Sequence, residues 1–157
     1  ERGIRLLFDS AHATGCELNG KKLGGFGDAE VFSFHATKML STTEGGCITT
    51  NDDELACLLE TMRPSYGKSQ TADVVKVINA RMSEAQAAIG LLNLADFEKN
   101  RQHNEDIFQA YAKGLEAVPG VQLVKPTGIT RSNYQYIVVQ LNVKQFGMTR
   151  DQLQSTR

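Results

Sequence analysis

Long apolar runs are missing from this sequence. No stretch approaches the roughly 20 residues that a membrane-crossing helix needs, so no membrane span is expected. An excess of one charge sign is missing too. Seventeen Lys and Arg stand against 18 Asp and Glu, a formal net charge of −1 with the signs interspersed. A nucleic-acid footprint would need a basic stripe. Cysteine is scarce and odd in number: Cys16, Cys47 and Cys57 lack close metal-type spacing. Reduced thiols in a cytoplasmic protein are the expectation. His12, His35 and His103 are scattered, with no carboxylate or thiol at ligand spacing, which argues against zinc. A Gly-x-Ser-x-Gly nucleophile elbow is also lacking.

Two phosphate-binding patterns are incomplete. Gly15-x-x-x-x-Gly20-Lys21-Lys22 lacks the final Ser or Thr hydroxyl that a P-loop aims at magnesium. Asn19-Gly20 inside it is a hairpin-turn pattern instead. Gly25-Phe26-Gly27 lacks the third glycine of a dinucleotide fingerprint and precedes a strand rather than a helix.

What is present describes a packed core rather than a disordered chain, with 41% hydrophobic and 22% charged residues. An apolar run from Gly3 to Phe8 fits a buried parallel strand delivering Asp9 at its C-terminal end. Strands are expected over 31–34 and 47–50, flanking a loop that carries Lys38. Thr50 to Glu54 starts a helix, with a capping side chain followed by acids at the positive end of the dipole. Leu55, Leu58, Leu59 and Met62 form its apolar face, Pro64 lies past its end, and a loop covers 65–78. Ser83-x-x-Gln86 is a capping box. From it a helical pattern runs to about Ala117, with Leu92, Ala95, Ile107, Phe108, Tyr111 and Leu115 on the buried side. At ~1.5 Å per residue this spans on the order of 50 Å, so a bend or a crossing between domains is expected. Val118-Pro119-Gly120 stops it. Strands follow over 121–124 and 134–141, and a last helix begins at Thr149. A first residue other than methionine, and a last helix cut short, read as a piece of a longer chain.

One constellation could carry chemistry: Asp9 at a strand end, His12 three residues on, Ser33 in the next strand, and Lys38 five residues later. Pyridoxal phosphate chemistry needs an amine to form a Schiff base and act as a base. It needs a carboxylate on the pyridinium nitrogen, and donors for the phosphate. A surface lysine, a capping aspartate and a buried serine would have the same spacing, so both readings stand at this point.

Phe32-Ser33-Phe34-His35-Ala36-Thr37-Lys38 followed by Glu44-Gly45-Gly46 resembles the lysine motif of the DegT/DnrJ/StrS sugar aminotransferases, which are fold type I pyridoxal 5'-phosphate enzymes. Asp9-Ser10-Ala11-His12-Ala13-Thr14-Gly15 and Asn79-Ala80-Arg81-Met82-Ser83-Glu84-Ala85-Gln86 through Gly90 resemble two further family segments in the expected order. Ser132-Asn133-Tyr134-Gln135-Tyr136 fits the strand opening of the family's C-terminal domain. The resemblance implies an α/β fold. Residues 1–95 would be the C-terminal half of the large cofactor-binding domain, with a mostly parallel sheet and helices. Residues 96–157 would be part of a small α+β C-terminal domain. It implies that Lys38 bonds the cofactor aldehyde, Asp9 pairs with the pyridine nitrogen, and His12 lies near the phenolic oxygen. Ser33 would contact the phosphate, and Asn79 would reach the phosphate of a partner's cofactor in a homodimer that shares its sites. His35 receives no firm role.

The implied activity is transamination from an amino-acid donor, glutamate, to a keto sugar nucleotide. Ser10 replaces a commoner alanine, and Met39-Leu40-Ser41 is a variant of the loop after the lysine. The family's N-terminal half, with its phosphate loop and ring-stacking aromatic, has no counterpart here. Two alternatives follow. One is a sugar dehydratase of the same family, in which histidine replaces the lysine. The other is a non-catalytic fragment that only self-associates.

Overall fold

The computed structural model describes residues 3–63 and 77–156. Pro64 and most of the loop expected over 65–78 lie outside them. Strand β1 (Leu7–Asp9) runs parallel to β4 (Ala29–Ser33), with Leu7 opposite Ala29 and Asp9 opposite Val31. Strand β5 (Gly46–Thr49) pairs antiparallel on the other side of β4, giving the order β1-β4-β5. The sheet is therefore mixed, with β4 at its centre. Ala29, Glu30 and Phe32 of β4 are buried.

The expected burial of β1 does not hold. Leu7 is 64% exposed, and Ile4, Leu6 and Phe8 are exposed with it. Among the described residues the strand has one partner, β4, and no strand pairs with its other edge. An apolar run indicates which surface is suited to burial, but burial also requires something to cover it.

Asn19 and Gly20 adopt φ values of 49° and 77°, both left-handed. Two successive positive φ values make the turn that suits a two-residue hairpin. It joins β2 (Glu17–Leu18) to β3 (Lys21–Lys22). The residues that mimic a P-loop are therefore a hairpin. Strand β7 (Ile129–Arg131), which local pattern did not indicate, pairs with β2 across more than a hundred residues of chain.

Helix α1 (Asp53–Met62) begins at Asp52, whose carboxylate accepts the amides of Glu54 and Leu55. Ser83 and Gln86 exchange the two hydrogen bonds of a capping box at the start of α2 (Glu84–Ala95). The long helical pattern does bend. Asp96 leaves helical geometry at φ −94° and ψ 1°, and α3 (Phe97–Leu115) begins beyond it. Phe97 then lies over Gly15, where a β-carbon would come within 2.6 Å of its ring. On α3, Phe108 is buried as expected, whereas Leu92 of α2 and Tyr111 of α3 are exposed.

Strands β6 (Val121–Leu123) and β8 (Val139–Leu141) pair antiparallel. The strand expected over 134–141 is therefore shorter, because residues 133–136 turn to meet other loops. Short helix α4 (Val143–Phe146) and α5 (Arg150–Ser155) complete the chain, the latter with a Thr149–Gln152 capping box. Among the described residues no helix is long and apolar enough to cross a membrane, and no cluster of ligating side chains could hold a metal.

Candidate active site

The parallel register of β1 and β4 sets the geometry. Asp9 ends β1 opposite Val31, and Ser33 ends β4 two residues later. Neighbouring strands lie ~4.8 Å apart with an advance of ~3.3 Å per residue, so the two Cα atoms are roughly 8 Å apart. Both side chains therefore stand at the C-terminal edge of a parallel pair, where open α/β sheets place their ligands. Asp9 is exposed, and its Oδ1 accepts the Ala11 amide at 3.1 Å.

Beyond Ser33 the chain closes a loop on itself. The Phe34 amide donates to Gly45 O at 2.8 Å, and the Thr42 amide to Phe34 O at 2.9 Å. Within it the Lys38 amide donates to His35 O at 2.9 Å, and the lysine side chain is half-buried. Among the described residues, no hydrogen bond or ion pair engages its ammonium group. Gly45 adopts φ +153°, and a β-carbon there would sit 2.5 Å from Thr42 Oγ1. One at Gly46 would sit 2.5 Å from Phe32 O. Both positions of the Glu-Gly-Gly motif thus need glycine for space, and Gly45 needs it for backbone angle as well.

Ser33 Oγ accepts the His35 amide at 3.3 Å, leaving the hydroxyl proton available to an anion. His35 itself is fastened, with Nδ1 3.0 Å from Thr37 Oγ1 and Nε2 3.5 Å from Glu44 Oε1. Its contacts are those of a loop brace. Asn79 is exposed on the segment before α2 and takes no part in the hydrogen bonds that link the other four residues.

Residues 133–136 join the Asp9 loop to the Lys38 loop. Asn133, only 4% exposed, donates through Nδ2 to His12 O at 2.9 Å and to Thr14 O at 3.0 Å. Its Oδ1 accepts the Gln135 amide at 3.1 Å. Gln135 Oε1 in turn accepts the Met39 amide at 3.2 Å, one residue past Lys38. The Tyr136 ring lies 4.8 Å from the His12 ring. Between these contacts Tyr134 is held at φ 52°. Its hydroxyl donates to Glu105 at 3.1 Å, and its ring meets Phe108 at 5.1 Å. A left-handed non-glycine costs on the order of 1–3 kcal/mol and persists only where its surroundings hold it.

Glu30 is 1% exposed in the middle of β4. Oε1 accepts the amides of Gly24 and Phe26, and Oε2 accepts Ser10 Oγ, each at 2.7 Å. Burial pushes its carboxyl upward. The Ser10 hydroxyl and the Phe26, Gly24 and Gly25 amides outweigh burial, so it titrates below the usual carboxylate range. A charged residue between the apolar neighbours of a strand was the available signal for Glu30. Asn133 lies within the Ser132-to-Tyr136 segment, but the carbonyls it donates to, those of His12 and Thr14, are more than a hundred residues away in sequence.

One sheet edge thus ends in a carboxylate and a hydroxyl donor, and the loop that follows it carries a half-buried lysine. By residue type, an amine captures aldehydes, a carboxylate pairs with a protonated ring nitrogen, and a hydroxyl donates to an anion.

The description "DegT/DnrJ/EryC1/StrS aminotransferase family" belongs to the family model that matches residues 1–156. The chain is 34% identical over 152 residues to the dTDP-4-amino-4,6-dideoxy-D-glucose transaminase of Shigella dysenteriae, covering 96% of this chain and 41% of that protein. It is 35% identical over 156 residues to the GDP-perosamine synthase of Vibrio cholerae, covering 98% and 42%. Its fold is similar to that of DesI crystallised in the presence of its TDP-sugar product. The TM-score is 0.89 at 37% identity, over 98% of this chain and 39% of that one. The chain spans about two fifths of the length of these relatives.

Proposed function

The chain belongs to the DegT/DnrJ/EryC1/StrS aminotransferase family, and we propose that it carries the lysine side of a pyridoxal-phosphate site for sugar transamination. The observation that carries this reading is the shared sheet edge: Asp9 and Ser33 end neighbouring parallel strands, and the Lys38 loop follows directly. The donor set fits the cofactor. When bound, pyridoxal phosphate supplies an aldehyde that captures amines and a ring that accepts electrons.

The residues of this chain do the rest. The Lys38 amine would hold the cofactor at its aldehyde and would move a proton in each of the two half-reactions. Asp9 accepts the ring N–H and keeps it protonated. Ser33 donates to the phosphate, and His12 stands by the phenolic oxygen. Asn79, apart from this set, reaches the phosphate of a partner's cofactor in a homodimer. The amino donor is glutamate and the acceptor a keto sugar nucleotide, in line with the named transaminase relatives.

The test is titration of pyridoxal phosphate into the protein while following visible absorbance. The wild type should develop a band that Lys38→Ala lacks; a band of equal strength in both proteins ends the reading.

A second reading is a non-catalytic piece that self-associates. It is favoured by the exposure of Leu91, Leu92 and Leu94 on α2, since a helix apolar on several sides is normally covered. Oligomers without cofactor binding in the same titration would select it.

A further inference from the structure

We propose that Asn133 is the positioning residue that sets the Asp9–His12 loop against the Lys38 loop, an inference that rests on the reading of the site given above. Neither loop holds the other directly through the hydrogen bonds of the described residues. Both are tied to residues 133–136. The Asn133 carboxamide is placed by its own chemistry. His12 O and Thr14 O each need a donor, and the Gln135 amide needs an acceptor, so nitrogen and oxygen have only one consistent assignment.

That last bond is an Asx turn, and it aligns Gln135 so that Oε1 meets the Met39 amide. Asn133, acting through Gln135, thus connects the carbonyls that follow Asp9 with the backbone that follows Lys38. The chain maintains this link against local strain. Tyr134 stays left-handed because Glu105 and Phe108 grip it, and Glu105 is itself paired with Arg101 at 3.0 Å. Strained backbone that is held from several sides is a recurring feature of working sites. The consequence is chemical. The placement of Asp9 relative to Lys38 would decide how closely the acid approaches the nitrogen of a ring held at Lys38, and so how strongly it favours the protonated form.

The decisive variant is Asn133→Asp. It keeps size and the Oδ1 acceptor but turns an anion towards two carbonyl oxygens. Asn133→Ser, which keeps one donor, guards against a variant that does not fold. Two measurements are made on the full chain. The first is amide hydrogen exchange without cofactor. Exchange at Ala13 and Cys16, whose amides close the loop onto Ser10 O and Ala13 O, should rise about tenfold, with α3 unchanged. The second is the pH titration of the visible band with pyridoxal phosphate bound. Its midpoint should move by about half a unit or more in Asn133→Asp, and less in Asn133→Ser.

Unchanged exchange at Ala13 and Cys16 overturns the proposal. So does faster exchange with an unmoved midpoint, which would make Asn133 a support of the fold alone. A wild type with no band at all removes the reading of the site itself, and the positioning role with it. A wild-type band with identical midpoints in the variants removes only the role of Asn133.

Discussion

The Ser10 hydroxyl donates to the Glu30 carboxylate at 2.7 Å, joining the residue after Asp9 to the middle of the neighbouring strand. Glu30 also holds the glycine loop through Gly24 and Phe26, so one buried acid ties the end of β1 to that loop. Serine at this position contributes a donor that alanine lacks.

Ser10→Ala should therefore lower stability by about 2 kcal/mol, the usual value of a hydrogen bond to a charged group, as read from urea unfolding. The linkage has a definite sign. Folded Glu30 titrates below its unfolded value of about 4.3. Its contribution is complete above that value and is lost as pH falls through the folded value. The urea midpoint should drop on acidification below about pH 4.3, and more steeply in the wild type than in Glu30→Gln. Parallel slopes would contradict this.

Two glycines make a contrasting pair. Gly45→Ala places a β-carbon 2.5 Å from Thr42 Oγ1 at φ +153°. It should cost about 1–3 kcal/mol and slow the capture of pyridoxal phosphate by Lys38. Gly114 lies in α3 with open space around its missing β-carbon. Gly114→Ala should stabilise by about 0.5–1 kcal/mol. Thermal melts of both variants check the pair, and a shift of the same sign in each refutes it.

Asp9→Asn keeps the shape at the strand end and removes the charge. On the proposed reading the cofactor still binds and Lys38 still captures it. Turnover falls by about 10–1,000-fold, matching the one to three pKa units that a close opposite charge supplies. Stopped-flow absorbance with glutamate measures the half-reaction. Full activity in this variant would remove Asp9 from its role.

Arg131 of β7 pairs with Glu98 of α3 and lies 4.0 Å from Glu17 of β2. Glu98 titrates below its ordinary value, first through its hydrogen bond to Arg101, with Arg131 adding to it and partial burial opposing. These pairs are solvent-accessible. The effect of Arg131→Ala on the urea midpoint should therefore be small, should shrink in 1 M salt, and should vanish as pH falls through the folded value of Glu98. An effect that persists at high salt would mean that packing of the arginine stem, not its charge, ties β7 down.

Local order was legible because its causes lie within a few residues. Asn19-Gly20 made the hairpin and Ser83 the capping box. Asp52 and Thr149 capped their helices through amides two or three positions on. The bend near the middle of the long helical pattern was expected from length, but its place was not. It falls at Asp96 because Phe97 turns onto Gly15, a contact across more than eighty residues. The five candidate residues were legible as types in a pattern. Four of them lie on two linked loops, and Asn79 takes no part in the hydrogen bonds of the described residues that link those loops.

The order of residue types thus settled which stretches turn, cap and coil, and which family the chain resembles, since those properties follow from φ preferences, short hydrogen bonds and motif spelling. Three-dimensional packing settled the rest. Among the described residues it left β1 unpaired along one edge, and it buried Glu30 among donors. It also linked the loops that follow Asp9 and Lys38 through Asn133 and Gln135. Each of these depends on partners far away in the chain, and no local preference records which distant group will arrive to share a hydrogen bond or exclude water.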